Sequence, residues 1–167
     1  MWPWQLTNKG DQRVRALADR HYSRETPGSP QFCRPGHNLV LWVPNDQDPD
    51  QAAAAWVWWH PSPPAQRRDG HNGYHHCTLF RNESPHRSSD LIHAAVTAAQ
   101  QLWEPPVHGF DTYVRPDRVR SSNPGYCYQR AGWIREPTRA TRKGPLVRLY
   151  LPVARLPIAS LLDGYGR

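Results

Sequence analysis

The segment NPGYCYQRAGW, residues 123–133, holds the side chains of this chain that are best suited to chemistry. Tyr126 and Tyr128 each offer a phenol hydroxyl, and a basic stretch surrounds them. Residues two positions apart on a helix lie on different faces, so both hydroxyls cannot face the same cleft. Tyr128 is therefore either a core aromatic or a functional hydroxyl, and the sequence leaves open which tyrosine faces a cleft.

A second candidate is the junction FRNESPHRSSDLI, residues 80–92, where a strand pattern changes into a helix pattern. The first N–H groups of a helix have no partner within the helix, and its dipole is positive at that end, so a helix start after a strand is suited to phosphate. Arg87 adds a charged donor, and Ser88 and Ser89 add hydroxyls. The alternative is an ordinary capped helix.

Three further residues could take part in a reaction. His21 follows the first predicted helix, where an imidazole with a pKa near 6.5 could accept a proton from an attacking amine or could interact with the helix dipole. Arg81 ends a predicted strand, and ligand crevices form at such ends. The structural alternative for Arg81 is an ion pair with Asp111.

The histidines and cysteines predict no metal site. The segment HNGYHHC places His75 and His76 at the start of a strand, where they point to opposite faces. Its spacing matches no structural zinc pattern. Iron is the remaining alternative, provided that His21 and a carboxylate complete a triad of two histidines and one carboxylate.

Composition predicts a compact domain with an anionic partner. The chain has 167 residues, eight tryptophans and a formal charge of +7. Between Arg115 and Lys143 there are eight basic residues and two acidic ones, which favours nucleic acid or a phosphate-bearing cofactor, or else a solvated basic face. No apolar run is long enough for a membrane span and no secretion signal is expected. Three widely spaced cysteines favour a reducing, cytoplasmic setting.

Hydrophobic periodicity predicts the elements that would position these residues. Residues 52–59 fit a helix or a strand, and their Trp-Val-Trp-Trp end favours a strand. Ser88 or Ser89 is the expected N-cap of the second helix, and Asn123 that of the third. A long loop, residues 23–37, follows the first helix. The expected order is a helix at 11–22, strands at 38–43, 52–59 and 75–81, a helix ending at 102, a strand at 109–114, a helix at 124–131, and strands at 133–136 and 146–151.

This order resembles the GNAT family of N-acetyltransferases. HRSSDLIHAA lies where such proteins have GxGSxLIxAA, although Arg87 and Ser88 replace small residues there. YQRAGW is similar to the family's YEKxGF segment. The resemblance implies a single α/β domain over 1–152, with a mixed, mostly antiparallel sheet flanked by helices and a tail at 153–167. It also implies acetyl-CoA or a related acyl-CoA held by Arg87, Ser88, Ser89 and Asn123, and a Tyr128 that protonates the departing thiolate.

RHYSR, FRNE and GYCYQRAGW also resemble the Mom-type DNA-modification proteins of bacteriophages. That resemblance implies a transferase that alters the exocyclic amine of adenine in double-stranded DNA and thereby protects the DNA from restriction enzymes. His21, Arg81, Tyr128 and either Asp111 or Asp117 would line its reaction centre. The expected DNA contacts are Tyr22, Arg24, Arg34, Arg118, Arg120, Arg142 and Lys143.

Two other functions stay open. One is an N-acetyltransferase for a small molecule or a protein, in which the basic residues serve CoA. The other is a non-catalytic nucleic-acid-binding domain on the same scaffold.

Overall fold

A computed structural model describes residues 2–24 and 26–156. Its elements are β1 (Gln5–Thr7), α1 (Gln12–Ala18), β2 (His37–Pro44), β3 (Ala52–His60), β4 (Tyr74–Asn82), α2 (Ser88–Leu102), β5 (Gly109–Val114), α3 (Tyr126–Arg130), β6 (Ile134–Arg135), β7 (Arg139–Thr141), β8 (Gly144–Pro152) and a 3₁₀ turn (Val153–Arg155). The predicted tail at 153–167 lies outside the described residues beyond position 156.

One mixed sheet organises the chain. Its strands run in the order β1-β2-β3-β4-β5-β8-β6, and β7 pairs with β8. Every pairing is antiparallel except that of β4 with β5, which is parallel. The pairing of β4 with β5 is parallel because α2 connects them. The helix returns the chain from the end of β4 to the edge of the sheet where β4 begins, so β5 runs in the same direction. The expected mixed, mostly antiparallel sheet is confirmed.

Helices cover both faces of the sheet. α2 and α3 pack on one face over a core rich in aromatic residues that includes Trp56, Trp58 and Phe110. On the other face α1 buries Val14 and Leu17 against β2, β3 and β4. The indole N–H of Trp58 donates to the Ala95 carbonyl oxygen at 2.9 Å and so fixes α2 against the sheet.

β4 and β5 separate near their middle. Their register ends with Cys77 opposite Thr112, yet β4 continues to Asn82 and β5 to Val114. The β3–β4 register shifts between Val57 and Trp58, so that Thr78 is the extra residue of a β-bulge. A bulge bends its strand and increases the local twist, which accounts for the divergence. The divergence leaves one edge of β4 without a neighbouring strand.

The observed helix starts differ from the predicted ones. Arg87, rather than Ser88 or Ser89, is the N-cap of α2, and its side chain makes no capping hydrogen bond. α3 begins at Tyr126 instead of position 124. Its N-cap is Gly125 with φ of 85°, so the N-cap prediction for Asn123 was wrong. A side chain on Gly125 would meet Leu149, which explains why glycine serves here.

Two short strands were missed. β1 and β7 have three residues each and exist only through pairing with β2 and β8. Residues 52–59 form a strand, as their aromatic end predicts. No helix among the described residues has the length and apolar content to cross a bilayer.

Gly109, at the start of β5, lies against β8, and its substitution tests the pairing of these two strands. Its φ is 149°, and a Cβ there would collide with the Leu151 carbonyl oxygen. We expect Gly109→Ala to lower the free energy of unfolding by at least about 1–3 kcal/mol through backbone strain alone. Urea unfolding measures this change. Gly10→Ala is the control, because its Cβ would meet only the exposed Asn8 side chain; equal stability of the two variants would contradict the β5–β8 register.

Candidate functional site

A cleft of about 800 Å³ lies where β4 and β5 diverge. Its walls come from both strands, from the loop after α1, from the loop after β5 and from α3. Eight of the predicted site residues line it, namely His21, Tyr22, Arg24, Arg34, Ser88, Asn123, Tyr128 and Lys143. The sequence thus identified residues that are far apart in the chain and adjacent in the fold.

The bulge at Thr78 gives the cleft two different sides. Cys77 belongs to the core under α2 and α3, whereas Leu79 belongs to the core under α1. Side chains two apart on a regular strand face the same way, so the extra residue reverses the alternation. The cleft consequently runs between the strands and touches both faces of the sheet.

Tyr128 lies on the α3 side of the cleft and is 6% exposed. Its ring centroid is 5.1 Å from that of Trp133, 6.1 Å from Phe80 and 6.3 Å from Trp56. Burial raises the pKa of Tyr128 well above the usual value of a phenol. The hydroxyl therefore stays protonated at physiological pH and is suited to donate a proton rather than to accept one.

Two cysteines line the same side of the cleft. Burial raises the pKa of both Cys77 and Cys127. A thiol acts as a nucleophile only when ionised, so neither is an activated nucleophile. Tyr126 also lines the cleft, but it is 52% exposed, so Tyr128 provides the buried hydroxyl on that side.

His21 is held as a neutral imidazole on the α1 side of the cleft. Its Nδ1 accepts from the Ser23 backbone N–H at 3.1 Å and lies 2.7 Å from the Ser23 hydroxyl. Burial and the charge of Arg81 lower the pKa of His21 to about 4, although a hydrogen bond to the Phe80 backbone opposes this. Because a hydrogen-bond partner is present for each ring nitrogen, His21 is a poor proton acceptor here. Its ring stacks on Tyr22 at 4.3 Å.

The start of α2 is organised by a residue that the sequence did not single out. The Asn82 side-chain amide donates to the His86 carbonyl oxygen at 2.8 Å and to the Ser88 hydroxyl at 3.0 Å. Its oxygen accepts from the Ser84 backbone and hydroxyl. Ser88 lines the cleft beside Asn82. The side chains of Arg87 and Ser89 are not part of the cleft wall, and Arg87 is exposed.

Arg81 and Asp111 do not pair. Arg81 forms an ion pair with Glu83 and donates to the Arg20 carbonyl oxygen at 2.8 Å. Asp111 is fully buried and does not line the cleft. The expected Arg81–Asp111 alternative was therefore wrong, and neither side chain forms part of the cleft wall.

Asp111 instead anchors a buried charge cluster. Arg67 donates to its two oxygens at 2.8 and 3.0 Å, Arg148 donates at 3.0 Å, and His76 Nδ1 lies at 2.8 Å. Burial by itself raises the pKa of Asp111, but hydrogen bonds from His76 and Arg67 outweigh it and lower the pKa to about 2. Neither Arg67 nor Arg148 was expected here from the sequence; Arg67 lies in a loop rich in proline, glycine and arginine, where a single arginine does not stand out.

The basic residues divide into two groups. Arg24, Arg34, Arg115 and Lys143 line the cleft, whereas Arg118, Arg120 and Arg142 do not. Arg24 is paired with Asp19 at 2.7 Å, and Arg115 with Asp117 at 2.8 Å. No Asp or Glu of the described chain belongs to the cleft wall. The wall thus has four cationic side chains and no described carboxylate of its own, and two of those cations are paired with carboxylates outside it.

No group of three or more His, Cys, Asp or Glu residues within 2–24 and 26–156 is placed to hold a metal. The iron alternative for His21 and a carboxylate thus gains no support. His75 and His76 do face opposite sides: His75 Nε2 contacts the Glu104 carbonyl oxygen, and His76 contacts Asp111.

Solved structures share this architecture. The aminoglycoside acetyltransferase AAC(6')-Ib in complex with coenzyme A and kanamycin matches with a TM-score of 0.64 at 17% identity, over 91% of this chain and 95% of that chain. Its complex with ribostamycin and coenzyme A matches with a TM-score of 0.64 at 16% identity, over 91% and 93%. The GNAT domain of S. lividans PAT matches with a TM-score of 0.56 at 13% identity, over 90% and 89%.

These structures establish the fold. The chain is a single α/β domain with the GNAT fold, as the sequence predicts. No family model matches the sequence. A search of curated proteins also finds no match. The Mom-type resemblance gains no support from the comparisons.

The charge cluster gives a stability prediction. We expect Asp111→Ala to lower the free energy of unfolding by about 3–5 kcal/mol, because it removes the fully buried carboxylate that Arg67 and Arg148 share and leaves each guanidinium with only its more exposed partner, Asp69 or Glu136. Chemical denaturation measures the loss. The control is Asp117→Ala, whose partner Arg115 sits in an accessible pair that is expected to contribute less than about 1 kcal/mol. Equal losses for the two variants would contradict the role of the cluster.

Proposed function

We propose that this protein transfers an acyl group from an acyl-CoA thioester to an amine, with Tyr128 as the acid that protonates the departing thiolate. The observation that carries the proposal is the position of Tyr128, whose buried side chain lines the cleft where β4 and β5 diverge. The structural neighbours add support, since AAC(6')-Ib has been crystallised with coenzyme A and with acetyl-CoA.

The residues of the cleft fit an acyl-CoA. The open edge of β4 offers backbone groups to the extended pantetheine arm, and the start of α2 offers N–H groups to phosphate. Ser88 and Asn123 add polar groups in the cleft wall, and Arg87 and Ser89, which lie outside the wall at the same helix start, would reach only the phosphates. Side chains at these positions replace part of the bare backbone surface of a glycine-rich loop. The bound thioester supplies an electrophilic carbonyl carbon and a thiolate leaving group.

Tyr128 has the protonation state that the reaction requires. Attack by an amine forms a C–N bond and breaks the C–S bond, and the sulfur then needs a proton. The Tyr128 hydroxyl is protonated at neutral pH and can supply that proton; its raised pKa makes it a weaker acid than a free phenol, so its contribution depends on its position beside the sulfur. The aromatic side chains of Trp56, Phe80 and Trp133 hold the ring and exclude water.

The acceptor is inferred from the charge of the cleft. Kanamycin and ribostamycin, which accompany AAC(6')-Ib in its complexes, carry several amines and are polycations at neutral pH. The cleft wall offers no described carboxylate to bind such a ligand, and its cationic side chains, two of them paired with Asp19 and Asp117, disfavour it. We therefore infer an acceptor amine on a neutral or anionic molecule.

Adenine in DNA is a specific acceptor of that kind. The exocyclic amine of adenine is a weak nucleophile. The base must also be extruded from the DNA duplex before the amine can react. Tyr22, Arg24, Arg34 and Lys143 line the cleft where such a base would enter, and Arg118, Arg120 and Arg142 offer further contacts for the backbone. The cationic side chains of the cleft wall support this second candidate; an N-acetyltransferase for a small molecule shares that support and is also favoured by the structural neighbours.

Tyr128→Phe tests the proposed acid. The variant keeps the ring and loses the hydroxyl, so we expect kcat for acetyl-CoA turnover to fall by about 10²–10⁴-fold while the affinity for acetyl-CoA changes little. Release of free thiol measures turnover. Tyr150→Phe, on β8 and outside the cleft wall, is the matched control. A folded Tyr128→Phe protein with full activity would remove Tyr128 from the mechanism.

The acceptor is tested by DNA binding and by product analysis. We expect the affinity for duplex DNA to fall steeply with salt concentration. In the double variant Arg142→Ala, Lys143→Ala, the slope of log affinity against log salt concentration should be about 2 units shallower than in the control Lys9→Ala. Mass spectrometry of DNA from a bacterial host should show a heavier deoxyadenosine with the wild type and not with Tyr128→Phe. Unmodified DNA together with acetylation of free amines would favour the small-molecule enzyme. Binding without any product would favour the non-catalytic alternative.

A further inference from the structure

His76 is a buried imidazole that contributes to the wall of the cleft. It is 2% exposed and lies on β4, one residue before the last pair of the β4–β5 register. The nitrogen atoms of a buried imidazole need hydrogen-bond partners. In His76 only one of the two ring nitrogens, Nδ1, contacts a hydrogen-bond partner within the described part of the chain, which is Asp111.

Asp111 fixes the tautomer of His76. Nδ1 of the ring lies 2.8 Å from an Asp111 oxygen, and the carboxylate is ionised because its pKa is lowered to about 2. An ionised carboxylate only accepts, so Nδ1 carries the proton. The other polar contact of the ring within the described residues is also at Nδ1, where Arg67 Nη2 lies at 3.5 Å; with a proton on Nδ1 this is a proximity of two donors and not a hydrogen bond. Nε2 is then the unprotonated nitrogen, and it remains for a ligand in the cleft.

His76 lies on the opposite side of the cleft from Tyr128. His76 and Cys77 are consecutive residues of β4, so their side chains point to opposite faces of the sheet. Cys77 shares the core that contains Tyr128, whereas His76 contacts Asp111 and Tyr113 on the other face. A base on one side of the divergence and an acid on the other is the arrangement that addition of an amine and departure of a thiolate require.

We propose that His76 is the general base of the acyl transfer and that Asp111 is its positioning residue. This inference rests on the proposed acyltransferase function. As the amine nitrogen bonds to the carbonyl carbon, Nε2 of His76 takes the amine proton, the C–S bond breaks and Tyr128 protonates the sulfur. The imidazolium later releases its proton to water, and water returns a proton to Tyr128.

His76 is better placed for this step than His21. Each ring nitrogen of His21 has a partner on its own chain, whereas Nε2 of His76 has none among the described contacts. Asp111 also stabilises the imidazolium that forms, as an orienting carboxylate does in other His–Asp pairs. His21 instead holds Ser23 at the start of the loop after α1.

The charges around His76 set its protonation state. Asp111 on β5 favours the imidazolium, and Arg67 and Arg34 from two loops oppose it. The rings of Trp59 and Tyr113 complete its surroundings. Burial lowers the pKa of His76, so the ring is neutral at physiological pH and able to accept a proton.

The test replaces only the accepting nitrogen. His76→Asn keeps a donor at the position of Nδ1 for Asp111 and lacks Nε2. With acetyl-CoA and the amine that the wild type acetylates fastest, we expect kcat to fall by about 10²–10⁴-fold with unchanged affinity for acetyl-CoA. In a plot of kcat against pH, the fall at low pH that is caused by protonation of His76 should vanish. Only the fall caused by protonation of the acceptor amine should remain. His75→Gln, which retains a donor for the Glu104 carbonyl oxygen outside the cleft, is the control and should stay near wild-type activity.

The outcomes separate this inference from the proposed function. A folded His76→Asn protein with kcat within about threefold of wild type overturns His76 as the base and leaves the acyltransferase intact. A wild-type protein that acetylates no amine overturns both. Should His76→Asn fail to fold, nitrogen-15 NMR of the wild-type histidines decides: a proton on Nδ1 and a bare Nε2 support the inference, and a proton on Nε2 overturns it.

Discussion

The structure depends on the early end of the parallel pairing between β4 and β5. Their register stops at Cys77 and Thr112, while both strands continue. Elsewhere in the central sheet neighbouring strands pair along most of their length, which leaves little room for a ligand between them. The bulge at Thr78 bends β4 away and places consecutive side chains on the two sides of the resulting cleft. The cleft, its lining and its proposed acid and base all follow from this separation.

Buried charge stabilises the place where the strands part. Asp111, paired opposite His76, binds two guanidinium groups from distant parts of the chain. A buried ion cluster of this kind is costly unless all its members are paired, so it fixes the loop after β3 and strand β8 relative to β5. The same carboxylate orients His76. Stability and the proposed chemistry thus share a residue, which explains why Asp111 can matter to function without forming part of the cleft wall.

The sequence predicted the elements with strong periodicity and the site residues next to them. α2 and the central strands follow from their hydrophobic spacing, and Tyr128 and Ser88 follow from their place at element ends. Arg67 could not be predicted, since its partner is 44 residues away and only the tertiary fold brings them together. Asn82 was missed because its role is to satisfy backbone and hydroxyl groups of a loop whose conformation the sequence does not show. β1 and β7 were missed because three residues have little intrinsic tendency to form a strand without a neighbour.

The central claim is that the divergence of β4 and β5 holds a thioester beside Tyr128. A crystal structure of the protein with coenzyme A tests it most directly. The account predicts the pantetheine arm along the open edge of β4, the pyrophosphate at the start of α2 and the sulfur within hydrogen-bonding distance of the Tyr128 hydroxyl. Coenzyme A bound elsewhere on the protein, or a sulfur remote from Tyr128, would contradict it.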